Sequence, residues 1–175
     1  EYQTTVFLKE RLEELGIRIL ESGLKTGLIA EIGSGKPVVA LRADIDALPV
    51  LEQTNLPYQS QHPGVMHACG HDFHQTSLLG AAALLKEKED QLEGTIRLIF
   101  QPAEEISEGA SDVLATGLLE DVQGIIGFHN MPQLKAGQLA LNAGAMMAGV
   151  EKFKVTVTGV SSHAARPDLG VDTVT

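Results

Sequence analysis

The chain has 175 residues, 43% of them hydrophobic and 21% charged, enough apolar material to bury a sizeable core rather than remain disordered. Its 13 basic residues against 23 acidic ones give a formal net charge of −10, which argues against a nucleic acid or an anionic membrane as partner, since both select a basic surface. A single cysteine excludes a disulfide framework, and no apolar run approaches the roughly 20 residues of a membrane helix. With no apolar segment after a basic N-terminal flank, a soluble, cytoplasmic protein is expected.

Residues 1–15 read as an amphipathic helix, with Val6, Leu8, Leu12 and Leu15 at helical spacing and Gly16 as its C-terminal stop. Residues 28–32 and 38–41 are short apolar runs around Gly33-Ser34-Gly35-Lys36, the pattern of a β-hairpin. A helix is predicted over 72–88, a strand over 95–100 ending before Pro102, a helix over 110–119 and a short buried strand over 124–128. Strands alternating with helices predict an α/β fold with a mostly parallel sheet and flanking helices. The pattern changes over 151–158, where Phe153, Val155 and Val157 alternate with Lys152, Lys154, Thr156 and Thr158 as in a strand with one wet face. The small and methionine-rich stretch 144–149 before it reads as a hinge, so a first domain over 1–146 and the start of a smaller α+β domain over 147–175 are expected.

The densest chemistry is His67-Ala68-Cys69-Gly70-His71-Asp72-Phe73-His74, just before a predicted helix. Imidazole and thiolate are natural ligands for zinc and similar ions. A structural zinc site needs a second ligand pair, which is absent; a catalytic site needs fewer protein ligands. The bland alternative is a polar helix N-terminus with Asp72 as its cap. Asp44 and Asp46 follow an apolar strand and, two residues apart, share a face. Glu104 and Glu105 follow another strand and point to opposite sides, so one carboxylate can hold a metal while the other meets a substrate. His129 ends a third. In an open parallel α/β sheet, strand C-termini and helix N-termini lie on one edge, so these groups converge on one crevice, as in a metal-dependent hydrolase.

The runs R-A-D-I-D-A-L-P (42–49), H-P-G-V-M-H-A-C-G-H-D-F-H (62–74), Q-P-A-E-E (101–105), G-F-H-N (127–130) and S-S-H-A-A-R-P (161–167) resemble the M20 metallopeptidase family, in particular its N-acyl-amino-acid amidohydrolase branch. The resemblance implies two divalent metal ions per chain, held by Cys69, His71, Glu105 and His129. It implies Glu104 as the general base for the attacking water and then the proton donor to the leaving amine, with Asp46 orienting a metal ligand. Related M20 peptidases carry a metal-binding histidine where Asp44 stands, so Asp44 is expected to support the site; His67 and His74 receive no assigned role. His163 is implied to reach from the dimerisation, or lid, domain into the partner's active site in a homodimer and to stabilise the oxyanion.

The family's last metal ligand lies near the C-terminus of a longer chain, so this sequence reads as an N-terminal portion that is inactive alone. Zinc or manganese is expected, with cobalt and nickel compatible. The expected substrate is an N-acyl amino acid or small peptide, with Arg166 as one candidate anchor for its anionic group. The alternatives are a metallo-aminopeptidase or dipeptidase of the same family and an inactive module that keeps the fold.

Overall fold

The computed structural model describes every residue except Lys152 and Thr175. The chain divides into two compact units, Glu1–Gln133 and Leu134–Thr175. The first holds a five-stranded sheet built from β1 (Arg18–Leu20), β2 (Leu28–Ser34), β3 (Val38–Asp44), β4 (Gly94–Gln101) and β5 (Val122–Gly127). Its order is β1-β2-β4-β3-β5: β4, β3 and β5 run parallel, and β2 and β1 are added antiparallel at one side.

Helix α1 (Tyr2–Glu14) buries Leu8 and Leu12, one turn apart on one face. It stops as the sequence predicts. Gly16 takes a left-handed φ of 67°, its N–H bonds the Glu13 carbonyl, and the Ile17 N–H reaches back to Leu12. This is a Schellman ending, with Ile17 and Leu12 in the same apolar cluster. Helix α2 (His71–Lys86) carries Leu78 and Ala82 into that cluster, which covers one sheet face through Ala30, Ile32, Leu98 and Phe100. Ile29, Ala40 and Ile99 point to the opposite face and pack with Val113 of helix α3 (Gly109–Ala115). Both faces of β2 and β4 are therefore covered, which is why their sequences are almost continuously apolar.

The expected 28–41 hairpin does not form. The chain does reverse between β2 and β3, but β4 lies between them and pairs with both. The near-continuous apolar strand β4 gains two ladders and two covered faces this way; direct β2–β3 pairing would leave it at an edge. The wedge is tight at its tip: Thr95 donates its N–H to Pro37 and its hydroxyl to Gly35. A Cβ on Gly94, whose φ is 127°, would lie 2.2 Å from the Pro37 carbonyl oxygen.

Three further expectations are corrected. Helix α3 ends at Ala115 rather than 119, because Gly117 turns left-handed (φ 70°) and sends Leu118 and Leu119 down onto the Ile29–Val113 cluster. Strand β5 stands at the edge of the sheet that residues 1–175 form, where Ile125 and Ile126 are 56% and 69% exposed. In the second unit, no strand spans 151–158 among the described residues, Lys152 lying outside them. Phe153, Val155 and Val157 are exposed there, with no neighbouring strand to take their backbone hydrogen bonds. That unit's only strand-like pairing among the described residues is the bridge Val160–Val171. No helix among the described residues is long and apolar enough to cross a membrane.

Gly94→Ala is expected to destabilise the intact protein by more than about 1 kcal/mol, since neither its φ nor the Pro37 carbonyl tolerates a methyl group. Gly35→Ala meets nothing within 4 Å and bears only the φ penalty. Urea denaturation of the two variants checks the ranking.

Candidate metal centre

The C-terminal ends of β3, β4 and β5 and the N-terminus of α2 deliver the predicted residues to one edge of the sheet. Asp44 pairs in register with Gln101, so the 44–46 and 101–105 segments leave the sheet side by side. The long loop from β3 to α2 is drawn closed by paired backbone hydrogen bonds between Leu48 and Met66. It ends in Cys69-Gly70-His71. Gly70 is the N-cap of α2, left-handed at φ 89°, and an added Cβ would sit 2.3 Å from Asn130 Oδ1. Only glycine lets the 129–130 segment approach, and that approach puts Cys69 Sγ 3.4 Å from His129 Nε2. Asp72 lies in the first turn and makes no side-chain cap, so the cap reading of this segment fails.

The Glu104–Glu105 turn is held just as closely. Ala103 is left-handed (φ 49°), and its carbonyl accepts the N–H groups of Glu108 and Gly109. A Cβ on Gly109 would lie 1.6 Å from the Pro102 carbonyl oxygen, so the chain crosses itself where only glycine fits. Strained backbone of this kind persists where its surroundings over-determine it.

His71 is 1% exposed. Its Nδ1 lies 3.0 Å from both the Asp46 carbonyl oxygen and Asp46 Oδ1, two acceptors, so Nδ1 carries the proton and Nε2 a lone pair. The second Asp46 oxygen accepts the Glu105 N–H at 2.9 Å. His71 Nε2 and Glu105 Oε1 are then both buried without a hydrogen-bond partner, and they lie 3.7 Å apart. Two buried acceptors facing each other lack a positive group between them. Their neighbours fit a metal ion: Cys69, His71 and His129 bring ligand atoms within 4.8 Å of one another, as do His71, Glu104 and Glu105. Asp44, His71 and His74 form a third such group.

The charge balance points the same way. Asp44, Asp46, Glu104 and Glu105 converge on one place, with the Arg42 guanidinium, 2.7 Å from Asp44 Oδ2, as close counter-charge. Burial opposes ionisation of Asp44, but the hydrogen bond from His74 and the charge of Arg42 outweigh it and hold its carboxyl below the usual range. Burial, then the carboxylates of Glu105, Glu104 and Asp44, push the Cys69 thiol up to about 11. A thiol among carboxylates keeps its proton until a cation arrives.

Cys69, His71, Glu104, Glu105, His129 and Asp46 thus come together as the sequence suggested. His67 joins none of the three groups. His163 lies exposed in the second unit, its Nδ1 accepting the Ala165 N–H. Arg166 is already committed to Asp168 through two hydrogen bonds, at 2.9 and 2.7 Å. Sequence reasoning gave no role to Arg42 or Asn130. For Arg42 a signal existed: two residues before Asp44 on one strand, it shares that residue's face.

Residues 40–172 match peptidase family M20/M25/M40, and the chain belongs to that family. It is 52% identical over 176 residues to an N-acetyl-L-cysteine deacetylase of Bacillus subtilis (strain 168), covering 99% of this chain and 42% of that protein. It is 46% identical over 175 residues to IAA-amino acid hydrolase ILR1-like 5 of Arabidopsis thaliana, covering 99% of this chain and 40% of that one. The chain therefore spans about two fifths of the length of these curated relatives. Among solved structures, a Bacillus subtilis dinuclear metal-binding peptidase of the M20 family superposes with a TM-score of 0.75 at 55% identity, over 77% of this chain and 38% of that one.

Gly70→Ala is expected to push Asn130 and His129 away from Cys69 and to weaken cobalt(II) binding by about tenfold or more in the intact protein. Chelator competition measures it; unchanged affinity would separate this close approach from metal binding.

Proposed function

We propose that the intact protein is a metal-dependent amidohydrolase that cleaves the amide bond of N-acyl amino acids or small acylated peptides. The observation that carries this reading is the pair of unpartnered buried acceptors, His71 Nε2 and Glu105 Oε1, inside a ring of thiol, imidazole and carboxylate. The relatives support it, one being named a deacetylase of an N-acetyl amino acid and the other a hydrolase of amino-acid conjugates.

In this reading Cys69, His71, Glu105 and His129 hold two divalent ions, a number supported by the dinuclear peptidase of similar fold. The thiol and imidazoles favour zinc, and the carboxylate also suits manganese. Such ions supply positive charge that lowers the pKa of water and polarises the amide carbonyl. Asp46 keeps His71 in the tautomer whose Nε2 lone pair faces the centre, and its other oxygen anchors the Glu105 backbone. Glu104, next to a ligand but outside the set, accepts the proton of the attacking water and returns it to the amine nitrogen as the C–N bond breaks. The products are a carboxylate and a free amino acid.

Residues 1–146 belong to the catalytic domain and 147–175 open the dimerisation domain. From there His163 of one protomer donates a ring N–H to the oxyanion formed in its partner.

Elemental mass spectrometry of the dialysed intact protein, with hydrolysis of a generic N-acetyl amino acid followed in the same sample, tests the reading. About two ions per chain and metal-dependent release of the amino acid are expected. No retained metal and no activity with added zinc or manganese would favour the inactive module. Glu104→Ala should lower turnover by about 10²- to 10⁴-fold with metal content near wild type, whereas Cys69→Ala and His129→Ala should also lose metal. His163→Ala should slow turnover without changing metal content. Mixed with Glu104→Ala protein, it should regain activity through hybrid dimers; verified hybrids that stay inactive would rule out action across the dimer.

A further inference from the structure

His74 and Asp44 are each 1% exposed, and the hydrolytic reading uses neither. The two side chains are joined at 2.7 Å, His74 Nδ1 to Asp44 Oδ1. The other Asp44 oxygen takes the Arg42 guanidinium, whose Nε donates to Gln101. His74 Nδ1 faces a carboxylate oxygen and donates to it. His74 Nε2 receives the backbone N–H of Asn130 at 3.0 Å, a group that can only donate. The neutral Nδ1–H tautomer of His74 is therefore the one its surroundings select. Asn130 Oδ1 is placed 2.7 Å from the same Nε2; with Nε2 accepting the backbone N–H, the side-chain amide must be turned so that its NH₂ faces the ring, an orientation set by this network. Both ring nitrogens of His74 are engaged, leaving no lone pair for a metal.

The backbone of Asn130 continues the chain through its next peptide group. Its carbonyl oxygen lies 2.8 Å from His129 Nδ1, so His129 donates Nδ1–H there and keeps its Nε2 lone pair toward Cys69. The rings of His74 and His129 pack edge to face, with centroids 4.5 Å apart.

We propose that His74 is a positioning residue that, through the Asn130 backbone, sets the tautomer and aim of His129, and that Asp44 serves His74 rather than a metal ion. This rests on the metal-centre reading above. It assigns the two aspartates parallel duties: Asp46 aims His71 directly, and Asp44 aims His129 through His74 and Asn130. Where related peptidases place a metal-binding histidine, this chain then has the base of a hydrogen-bonded support.

The test compares His74→Leu, His74→Gln and His129→Ala in the intact protein by cobalt(II) affinity and by the cobalt–thiolate absorption band, after circular dichroism has verified folding. His74→Leu should weaken cobalt(II) binding by about 10- to 100-fold and shift the band. His74→Gln, whose carbonyl can accept the Asn130 N–H, should recover most of that loss. Wild-type affinity and spectrum in His74→Leu, or no recovery in His74→Gln, overturns the proposal. If His129→Ala weakens binding and His74→Leu does not, only this inference falls; if His129→Ala has no effect, the metal-centre reading fails and takes the inference with it. Should His74→Leu not fold, long-range ¹H–¹⁵N spectra of the metal-free wild type decide. Nδ1–H is expected on both His74 and His129, and Nε2–H on His74 overturns the assignment.

Discussion

One carboxylate, Asp46, sits where three segments of chain must meet. One oxygen fixes the proton of His71 at the start of α2, and the other takes the Glu105 N–H in the turn after β4. Asp46 itself lies outside the regular elements, just after β3. Both segments carry groups that face each other without a partner, and only a fixed backbone keeps two unsatisfied acceptors in that relation. Asp46 is 7% exposed and accepts on both oxygens, so neither is left unsatisfied where it is buried. Without the Asp46 side chain, His71 Nδ1 would keep only the backbone carbonyl as acceptor and the Glu105 N–H would lose its partner.

The sheet makes this meeting repeatable. Wedging β4 between β2 and β3 places the ends of β3 and β4 in register, so Asp44 lies beside Gln101 and the acidic segments depart together. The wedge depends on Gly94 at its tip, and the turn that follows β4 depends on Gly109. Glycine is used in both places to let backbone approach backbone. The same device at Gly70 admits Asn130 beside the thiol and imidazole of the Cys-Gly-His run. The fold thus concentrates negative charge and orphaned lone pairs on one edge, an arrangement that costs stability until a cation is present. Arg42, tied to Asp44 and Gln101, offsets part of that cost from the flank.

Much of the first unit was legible in the primary structure, and the failures have distinct causes. The 3.6-residue spacing of Leu8 and Leu12 and the glycine after them announced α1 and its ending, because both signals are local. The 28–41 hairpin was also locally plausible, yet β4 enters from more than fifty residues away and outcompetes it. The alternation over 151–158 promised a strand, but a strand is defined by its neighbour, and the described residues supply none. Strand β5 looked buried because it is apolar. In the sheet these residues form it stands at the edge, and burial is set by neighbours rather than by composition.

The residues of the site and their convergence on one edge follow from sequence alone, because donor chemistry and strand ends are local properties of the chain. Family membership follows in the same way, from motifs with fixed internal spacing. What only the tertiary structure decided is which nitrogen of each histidine meets a hydrogen-bond partner, and which aspartate pairs with which histidine. Those depend on partners far apart in sequence, such as His74 and Asn130 across 56 positions or Asp46 and Glu105 across 59. A hydrogen bond of that kind leaves no periodicity to read, because its geometry exists only once the sheet has brought the two ends together.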